Sequence, residues 1–137
     1  MELDRIHIHI TSHPAHLKQI RAMMTKMSSA AGLSEKDAGL VVLAVDEACS
    51  NIIKHCCQDD PTRSIDVTIS LNKDSLCVII VDNGNRFDIK TIKPRDIEEI
   101  KPGGLGVHII QKVMDVVEYS HTHEGLNQVR LVKKLKG

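Results

Sequence analysis

The chain has 137 residues, and its 18 Lys and Arg are balanced by 18 Asp and Glu, so the formal net charge at pH 7 is zero. This balance gives no electrostatic reason to expect nucleic acid or an anionic membrane surface as the main partner. The length is typical of one domain and is sufficient to bury a core without disulfide bonds. We therefore expect a single domain over residues 1–137.

Cysteine usage and the apolar runs favour a soluble cytoplasmic protein. None of the four cysteines forms a CxxC pair, and we interpret them as small buried hydrophobic residues of a reducing compartment: Cys49, Cys56, Cys57 and Cys77. The start, MELDRIHIHI, lacks the basic and apolar regions of a secretory signal. The longest apolar runs, AGLVVLAV and LCVIIV, are too short to span a bilayer.

The first part of the chain predicts a strand and a helix. Residues 3–10 alternate between apolar and polar side chains, as in a half-buried strand. Pro14 is suited to opening a helix, because apolar residues then recur at spacings of three and four from Leu17 to Ala31. Gly32 suits the position just after a helix C-terminus.

A second helix is predicted from about Glu35 to Cys57. Ser34, with Asp37 three residues later, has the arrangement of a capping box at its start. The sequence DDPTR then interrupts the helix.

The second part of the chain predicts four more strands and one more helix. Residues 65–71 alternate, and the continuous apolar run at residues 76–81 is typical of a central strand buried on both faces. A polar loop at residues 84–104 precedes GLGVHIIQKVMD, which we interpret as the third helix. Two strands follow near residues 116–122 and 127–135. This order predicts a two-layer α/β (α+β) sandwich, in which helices cover one face of a mixed, mainly antiparallel sheet.

Three polar residues recur every fourth position on the second helix: Glu47, Asn51 and His55. Residues four apart share a helix face. An apolar stripe on the other side should face the sheet: Val42, Val45, Cys49, Ile52 and Cys56. The polar side also carries Leu40, Ala44 and Ala48, and small side chains there leave room for a ligand, although a solvated polar face is the alternative. A carboxylate can act as a base, and an amide oxygen suits Mg²⁺.

Two glycine-containing turns add to this pattern. In VIIVDNGNRFD, Asp82 and Gly84 end the most apolar strand, where a buried carboxylate needs a donor such as a purine amino group. A plain Asp-Asn-Gly turn is the alternative. In PGGLGVHII, three glycines enter a helix, whose free N–H groups can bind phosphate: Gly103, Gly104 and Gly106. The lysine of a P-loop is missing.

The three segments, in this order, resemble the GHKL ATP-binding fold, also called the Bergerat fold. More narrowly, the whole chain resembles the bacterial anti-sigma factor serine kinases, which phosphorylate anti-anti-sigma proteins. LAVDEACSNIIKH is similar to the N-box of that family, VDNGNRFD to its first glycine box and GGLGVHIIQKVMD to its second. The ending GLNQVRLVKKL resembles its last strand.

The resemblance implies a role for most of these residues. Glu47 would be the general base, Asn51 would hold Mg²⁺, and Asp82 would accept a hydrogen bond from the adenine amino group, with Gly84 admitting the base. The remaining residues implied to surround the ATP phosphates are Gly103, Gly104, Leu105, Gly106 and Val107. His55 matches the end of the N-box without an assigned role.

The chain departs from the family pattern at Arg86, where the first glycine box often has a second glycine. Arg86 is expected either to lie over the ligand or to contact phosphate. A small ATP lid is expected at about residues 88–102, and its cations are Lys90, Lys93, Arg95 and Lys101.

The resulting hypothesis is an ATP-dependent, Mg²⁺-dependent protein serine kinase and anti-sigma factor. Its expected partners are an anti-anti-sigma (STAS-type) substrate protein, a sigma factor and a second copy of itself. One alternative is a catalytically silent GHKL module that sequesters a partner, with nucleotide as effector. Another is a detached histidine-kinase catalytic domain. Separately, SHPAHLKQ slightly resembles the phosphoacceptor box of histidine kinases, but such a box requires a dimerising two-helix hairpin before the nucleotide domain, and only one helix fits there.

The eight histidines also raise the question of a metal site. Two pairs, His7 with His9 and His121 with His123, have the spacing of neighbours on one strand face. The two pairs could bind a metal only if they met across the sheet. We favour exposed strand faces over a metal site.

Overall fold

Five strands form one antiparallel sheet, and three helices cover one of its faces in the part of the chain that is described. The structure is a computed structural model, and it describes residues 2–88 and 105–135. In chain order the elements are β1 (Glu2–Thr11), α1 (Leu17–Ala30), α2 (Glu35–Asn51), β2 (Ser64–Asn72), β3 (Ser75–Asp82), α3 (Leu105–Val113), β4 (Val116–His121) and β5 (Asn127–Lys134). The predicted two-layer fold is confirmed.

The strand order is β1-β2-β3-β5-β4, which places β3 at the centre. Every neighbouring pair among these strands is antiparallel, so the described sheet is antiparallel throughout rather than mixed. The chain passes through α3 to reach the edge strand β4 and then returns as β5 beside β3. The end of β3 therefore lies opposite the start of β5, with Asp82 paired to Asn127.

The core lies between the sheet and the helices. Inward-facing residues of β2 and β3 are fully buried, among them Ile65, Val67, Leu76 and Val78. The prediction that residues 76–81 are buried on both faces is wrong, because alternate residues of β3 are only half-buried. A single layer of helices covers one face of the sheet. The apolar run at residues 76–81 also places apolar side chains on the other, open face. The periodicity of the sequence could not show this.

The cysteine prediction is confirmed for three positions. Cys49, Cys56 and Cys57 are buried free thiols. Cys77 lies on the open face of β3 and is only half-buried.

Local signals for the helix ends are confirmed. A short 3₁₀ turn at Pro14–His16 precedes α1. Gly32 follows α1 with φ +80°, a conformation that glycine adopts without steric cost. The Ser34 hydroxyl accepts a hydrogen bond from the Asp37 N–H at 3.1 Å, which caps α2.

The last turn of the second helix differs from the predicted continuous α-helix up to Cys57. Residues Ile52–Cys56 form a π-helical turn, in which the Cys57 N–H donates to the Ile52 carbonyl at 2.9 Å. His55 lies within this wider turn and is exposed, whereas Glu47 and Asn51 of α2 are half-buried. The physical reason is tertiary: the Cys56 carbonyl accepts a hydrogen bond from the loop after β3, an interaction that helical periodicity does not reveal.

No helix in the described part of the chain combines the length and the apolar character that crossing a lipid bilayer requires.

Candidate functional site

Asp82 is the one carboxylate among the buried polar side chains of the described residues. It ends β3 and is 1% exposed. Its Oδ1 atom accepts hydrogen bonds from the Gly84 N–H at 2.9 Å and from Asn127 Nδ2 at 3.0 Å. Its Oδ2 atom is buried and has no partner among the described residues. Burial raises the pKa of this carboxyl, and the two donors to Oδ1 oppose that rise.

A buried acceptor without a donor is energetically unfavourable, so it usually marks a place where a ligand or water binds. Oδ2 of Asp82 is suited to an N–H donor. The exocyclic amino group of adenine provides such a donor, and the residues present therefore fit a purine nucleotide at this position.

Gly84 is required by a close approach of two main-chain segments. A Cβ atom at this position would lie 2.5 Å from the carbonyl oxygen of Cys56, in the π-helical turn. The next residue, Asn85, donates its N–H to the same oxygen at 2.6 Å. The family resemblance implies that Gly84 admits the base of a nucleotide. The structure gives a further reason for a glycine here: the segment after β3 packs directly against the π-helical turn that ends the second helix.

Asn127 is a site residue that the sequence analysis missed. It is 1% exposed. Its Nδ2 donates to Asp82 Oδ1 at 3.0 Å and to the Asn85 carbonyl at 2.8 Å, and its Oδ1 accepts the Phe87 N–H at 3.0 Å. A signal was present in the sequence: Asn127 stands in phase with the inward-facing residues Val129 and Leu131 of β5.

Glu47 and Asn51 lie one turn apart in the second half of α2, and both are half-buried. No described residue forms a hydrogen bond or an ion pair with either side chain. A carboxylate and an amide without partners among the described residues, near the end of one helix, remain available to a ligand.

The small residues beside this row do not leave open space. Ala44 and Ala48 are buried, at 0% and 5% exposure. Arg21 of α1 contacts Asp46 at 2.8 Å, which fixes the side of α2 that faces α1. Both alanines lie about 160° around the helix axis from Asp46. Since α2 packs against both α1 and α3, we conclude that the alanines admit α3 rather than a ligand.

The end of α2 lies close to the end of β3. Burial raises the pKa of the Cys49 thiol to about 12, and the neighbouring carboxylates Asp46 and Asp82 add to the rise. Burial, followed by the nearby Asp82 carboxylate, also raises the pKa of the Cys56 thiol to about 12. The Asp82 carboxylate is therefore close to the α2 face that packs on the sheet.

The second glycine segment is described only in part. Helix α3 begins at Leu105, so Gly106 and Val107 belong to its first turn. Gly103 and Gly104 lie outside the described residues, and so do the predicted lid cations Lys90, Lys93, Arg95 and Lys101.

Arg86 is exposed and reaches the edge strand β4. Its Nη2 lies 3.2 Å from Nδ1 of His121. The Nε2 atom of His121 is 3.1 Å from the Phe87 carbonyl, which can only accept, so Nε2 carries the proton and Nδ1 accepts from Arg86. The Phe87 ring packs on His121 at 5.0 Å and edge-on to Tyr119 at 5.8 Å. These contacts tie the loop after β3 to β4.

The histidine pairs do not meet. His7 and His9 lie on β1 and His121 on β4, the two outer strands of the sheet. His7 and His9 instead contact Oδ1 of Asp66 on β2, at 3.1 and 3.0 Å. Over residues 2–88 and 105–135, no group of three or more His, Cys, Asp or Glu side chains is arranged to hold a metal ion.

Residues 10–133 match the histidine kinase-like ATPase domain family. The serine-protein kinase RsbW of Bacillus subtilis (strain 168) is 27% identical over 143 residues, covering 98% of this chain and 88% of the relative. The serine-protein kinase RsbW of Bacillus licheniformis is 30% identical over 122 residues, covering 83% of this chain and 76% of the relative.

Two solved structures share the fold. One contains the RsbU and RsbW domains of Rv1364c from Mycobacterium tuberculosis, with a TM-score of 0.69 and 16% identity, and the match covers 96% of this chain and 32% of that longer chain. The other is the SiaB–SiaC complex from Pseudomonas aeruginosa, with a TM-score of 0.61, 14% identity and coverage of 98% of this chain and 91% of that chain.

The family match, over a fold with an antiparallel sheet and one helical layer, identifies an ATPase-type domain. The chain belongs to the histidine kinase-like ATPase domain family, in the group of the serine-protein kinase RsbW. The family resemblance found in the sequence is thereby confirmed.

Proposed function

We propose that this protein is an ATP-dependent serine kinase that phosphorylates a partner protein and acts as an anti-sigma factor in a partner-switching system. The observation that carries the proposal is the buried Oδ2 atom of Asp82, which lacks a donor at the end of the central strand. In a chain that belongs with serine-protein kinases, this acceptor fits the amino group of adenine.

Asn51 is proposed to hold Mg²⁺ through its side-chain oxygen. The fit rests on its chemistry and its position: an amide oxygen is a hard ligand, and no described residue bonds to it. When bound, the ion neutralises charge on the ATP phosphates.

Glu47 is proposed as the general base. Its carboxylate stands one helical turn before Asn51 and would accept the proton of the substrate serine hydroxyl. The serine oxygen then forms a bond to the γ-phosphorus as the bond to the ADP oxygen breaks. The protein contributes mainly by positioning the reactants, which dominates phosphoryl transfer.

The start of α3 is proposed to bind the phosphates through main-chain N–H groups. Its first residues, Leu105, Gly106 and Val107, follow Gly103 and Gly104 in the sequence. The early N–H groups of a helix lack intrahelical partners and favour anions. Arg86 is proposed to line this site from the loop after β3.

The proposed substrate is an anti-anti-sigma (STAS-type) protein, and the proposed second partner is a sigma factor. We further propose that the protein works in the cytoplasm as a homodimer. The relatives named serine-protein kinase RsbW support the kinase class.

The test is transfer of label from [γ-³²P]ATP with Mg²⁺ to the cognate substrate-like protein. We expect acid-stable phosphoserine on that protein. Glu47→Gln should bind ATP normally in calorimetry and lose transfer by at least about 100-fold, as expected for loss of a general base. Glu35→Gln, an exposed position at the start of the same helix, is the matched control and should transfer normally.

Each other outcome has a distinct meaning. Binding of ATP without transfer would contradict the kinase and support a silent binding module. Acid-labile label would indicate a histidine kinase domain. Unchanged transfer in Glu47→Gln would remove Glu47 as the base.

A further inference from the structure

Both N–H groups and the oxygen of the Asn127 side chain have hydrogen-bond partners in one orientation. Its two N–H groups donate to Asp82 Oδ1 and to the Asn85 carbonyl, and its oxygen accepts the Phe87 N–H. A flipped amide would place its oxygen against two acceptors and its N–H groups against a donor. The network therefore fixes the orientation of the amide.

This orientation determines which oxygen of Asp82 is left for a ligand. Oδ1 is held by two donors, the amide of Asn127 and the Gly84 N–H, at 3.0 and 2.9 Å. Oδ2 has no donor among the described residues. Because β3 and β5 are neighbours, Asp82 and Asn127 are direct cross-strand partners, and the contact is built into the sheet.

The protonation of Oδ2 would decide which purine it accepts. An ionised Oδ2 accepts a hydrogen bond from the 6-amino group of adenine. A protonated Oδ2 would instead donate to the 6-oxo group of hypoxanthine or guanine. Donors to a carboxylate favour its ionised form.

We propose that Asn127 is a positioning residue that holds Asp82 with Oδ2 as a hydrogen-bond acceptor and thereby selects adenine over 6-oxopurines. This inference rests on the proposed function, because it requires that the site bind a purine nucleotide. Asn127 acts through Asp82 and does not itself need to touch the base.

Other titratable groups around Asp82 come from three elements. The Cys49 thiol of α2 and the Cys56 thiol of the π-helical turn have pKa values raised to about 12, mainly by burial, so both are neutral at pH 7.5 to 9. Burial also raises the pKa of Cys57. On β4, His121 is paired with Asn127.

The experiment compares the affinities for ATP and ITP, which differ in having an amino or an oxo group at position 6. At pH 7.5 we expect the wild-type protein to bind ATP at least about 10-fold more tightly, the effect of one hydrogen bond to a charged group. Asn127→Asp replaces the donor with a second carboxylate, and two adjacent carboxyls share a proton. The ATP preference should fall to near unity and return as the pH is raised to 9.

The matched control is Gln128→Glu, which makes the same chemical change at the next residue, on the opposite face of β5. It should keep the wild-type preference. Asn127→Ala, which removes the donor without adding charge, is the second variant in case Asn127→Asp does not fold. It should lower the ATP preference as well.

The outcomes distinguish a failure of the proposed function from a failure of the proposed role of Asn127. If the wild-type protein binds neither nucleotide, the proposed function fails. If it prefers ATP and a folded Asn127 variant keeps that preference, the proposed role of Asn127 is overturned. Equal binding of ATP and ITP by the wild-type protein would also overturn it.

Discussion

The α-carbon of Gly84 packs directly against the carbonyl group of Cys56, so that an added methyl group would lie 2.5 Å from the oxygen and 2.6 Å from the carbon. Both atoms belong to the main chain and cannot rotate away. Asn85 donates to the same oxygen at 2.6 Å. The segment after β3 and the end of the second helix are therefore joined through their backbones.

Gly84→Ala should destabilise the protein by about 1–3 kcal/mol, the usual cost of forcing extra volume into a packed region. It should also weaken ATP binding, because Asp82 lies two residues away and shares a hydrogen bond with the Gly84 N–H. Urea denaturation and calorimetry measure the two effects.

Gly39→Ala is the matched control for that substitution. Gly39 lies inside α2, and nothing would lie within 4 Å of an added Cβ. Alanine is the better helix former, so we expect an increase in stability of about 0.5–1 kcal/mol. A Gly84→Ala protein as stable as the wild type would contradict the close contact.

Asp82→Asn should separate stability from nucleotide binding. Because burial raises the pKa of Asp82, the native state takes up a proton before the unfolded state does, and the wild-type protein is stabilised as the pH falls through that raised pKa. At neutral pH the buried charge is therefore unfavourable, and the neutral amide should leave the free protein at least as stable. ATP binding should weaken by about 10-fold or more, since a charged acceptor is lost.

The measurement is urea denaturation of both proteins at pH 7.5 and pH 5, with calorimetry of ATP binding. Any stability advantage of Asp82→Asn should shrink at the lower pH. An advantage that grows as the pH falls would show that the ionised carboxylate stabilises the free protein, contrary to the direction of its pKa shift.

Asn51→Ala should affect the magnesium complex of ATP selectively. Loss of one oxygen ligand should weaken binding of Mg²⁺–ATP by about 10-fold, the order expected when one good hydrogen bond or ligand contact is removed. Binding of ATP in the presence of EDTA should change little. Ser50→Ala, at the neighbouring half-buried position of α2, serves as the control. Equal losses with and without Mg²⁺ would argue against Asn51 as the metal ligand.

Thiol labelling should distinguish Cys77 from the other cysteines. Cys49 and Cys56 are buried and have pKa values of about 12, so at pH 8 only about one thiol in ten thousand is ionised. In the native protein, DTNB should react with Cys77 alone, and slowly, because burial raises its pKa as well. Urea should expose all four thiols, and Cys77→Ser should abolish the native reaction. A second thiol that reacts in the native protein would contradict the buried arrangement.

Much of the fold could be predicted because its signals are local. The Ser34 cap, the glycine after α1 and the alternation along β2 each depend on residues a few positions apart. The end of α2 could not be predicted in this way. Its π-helical turn accompanies a hydrogen bond between Cys56 and Asn85, which are far apart in sequence.

In the candidate site too, residues with a local signal could be predicted, and residues that depend on tertiary contacts could not. Asp82 and Gly84 were visible because a carboxylate and a glycine after an apolar run are unusual. Asn127 was not identified, although it lies in phase with inward-facing residues, because its importance depends on the pairing of β3 with β5. Ala44 and Ala48 were interpreted as leaving space for a ligand, but the packing of α3 against α2 buries them.

The contact at Cys56 also bears on which substitutions the protein tolerates. The carbonyl of Cys56 and the N–H of Asn85 are main-chain groups, so the bond between them does not depend on the identity of either side chain. Both positions are therefore free to vary as far as this bond is concerned, except that proline at position 85 would remove the N–H. The constraint falls instead on Gly84, the one residue at this junction whose lack of a side chain lets the two segments meet.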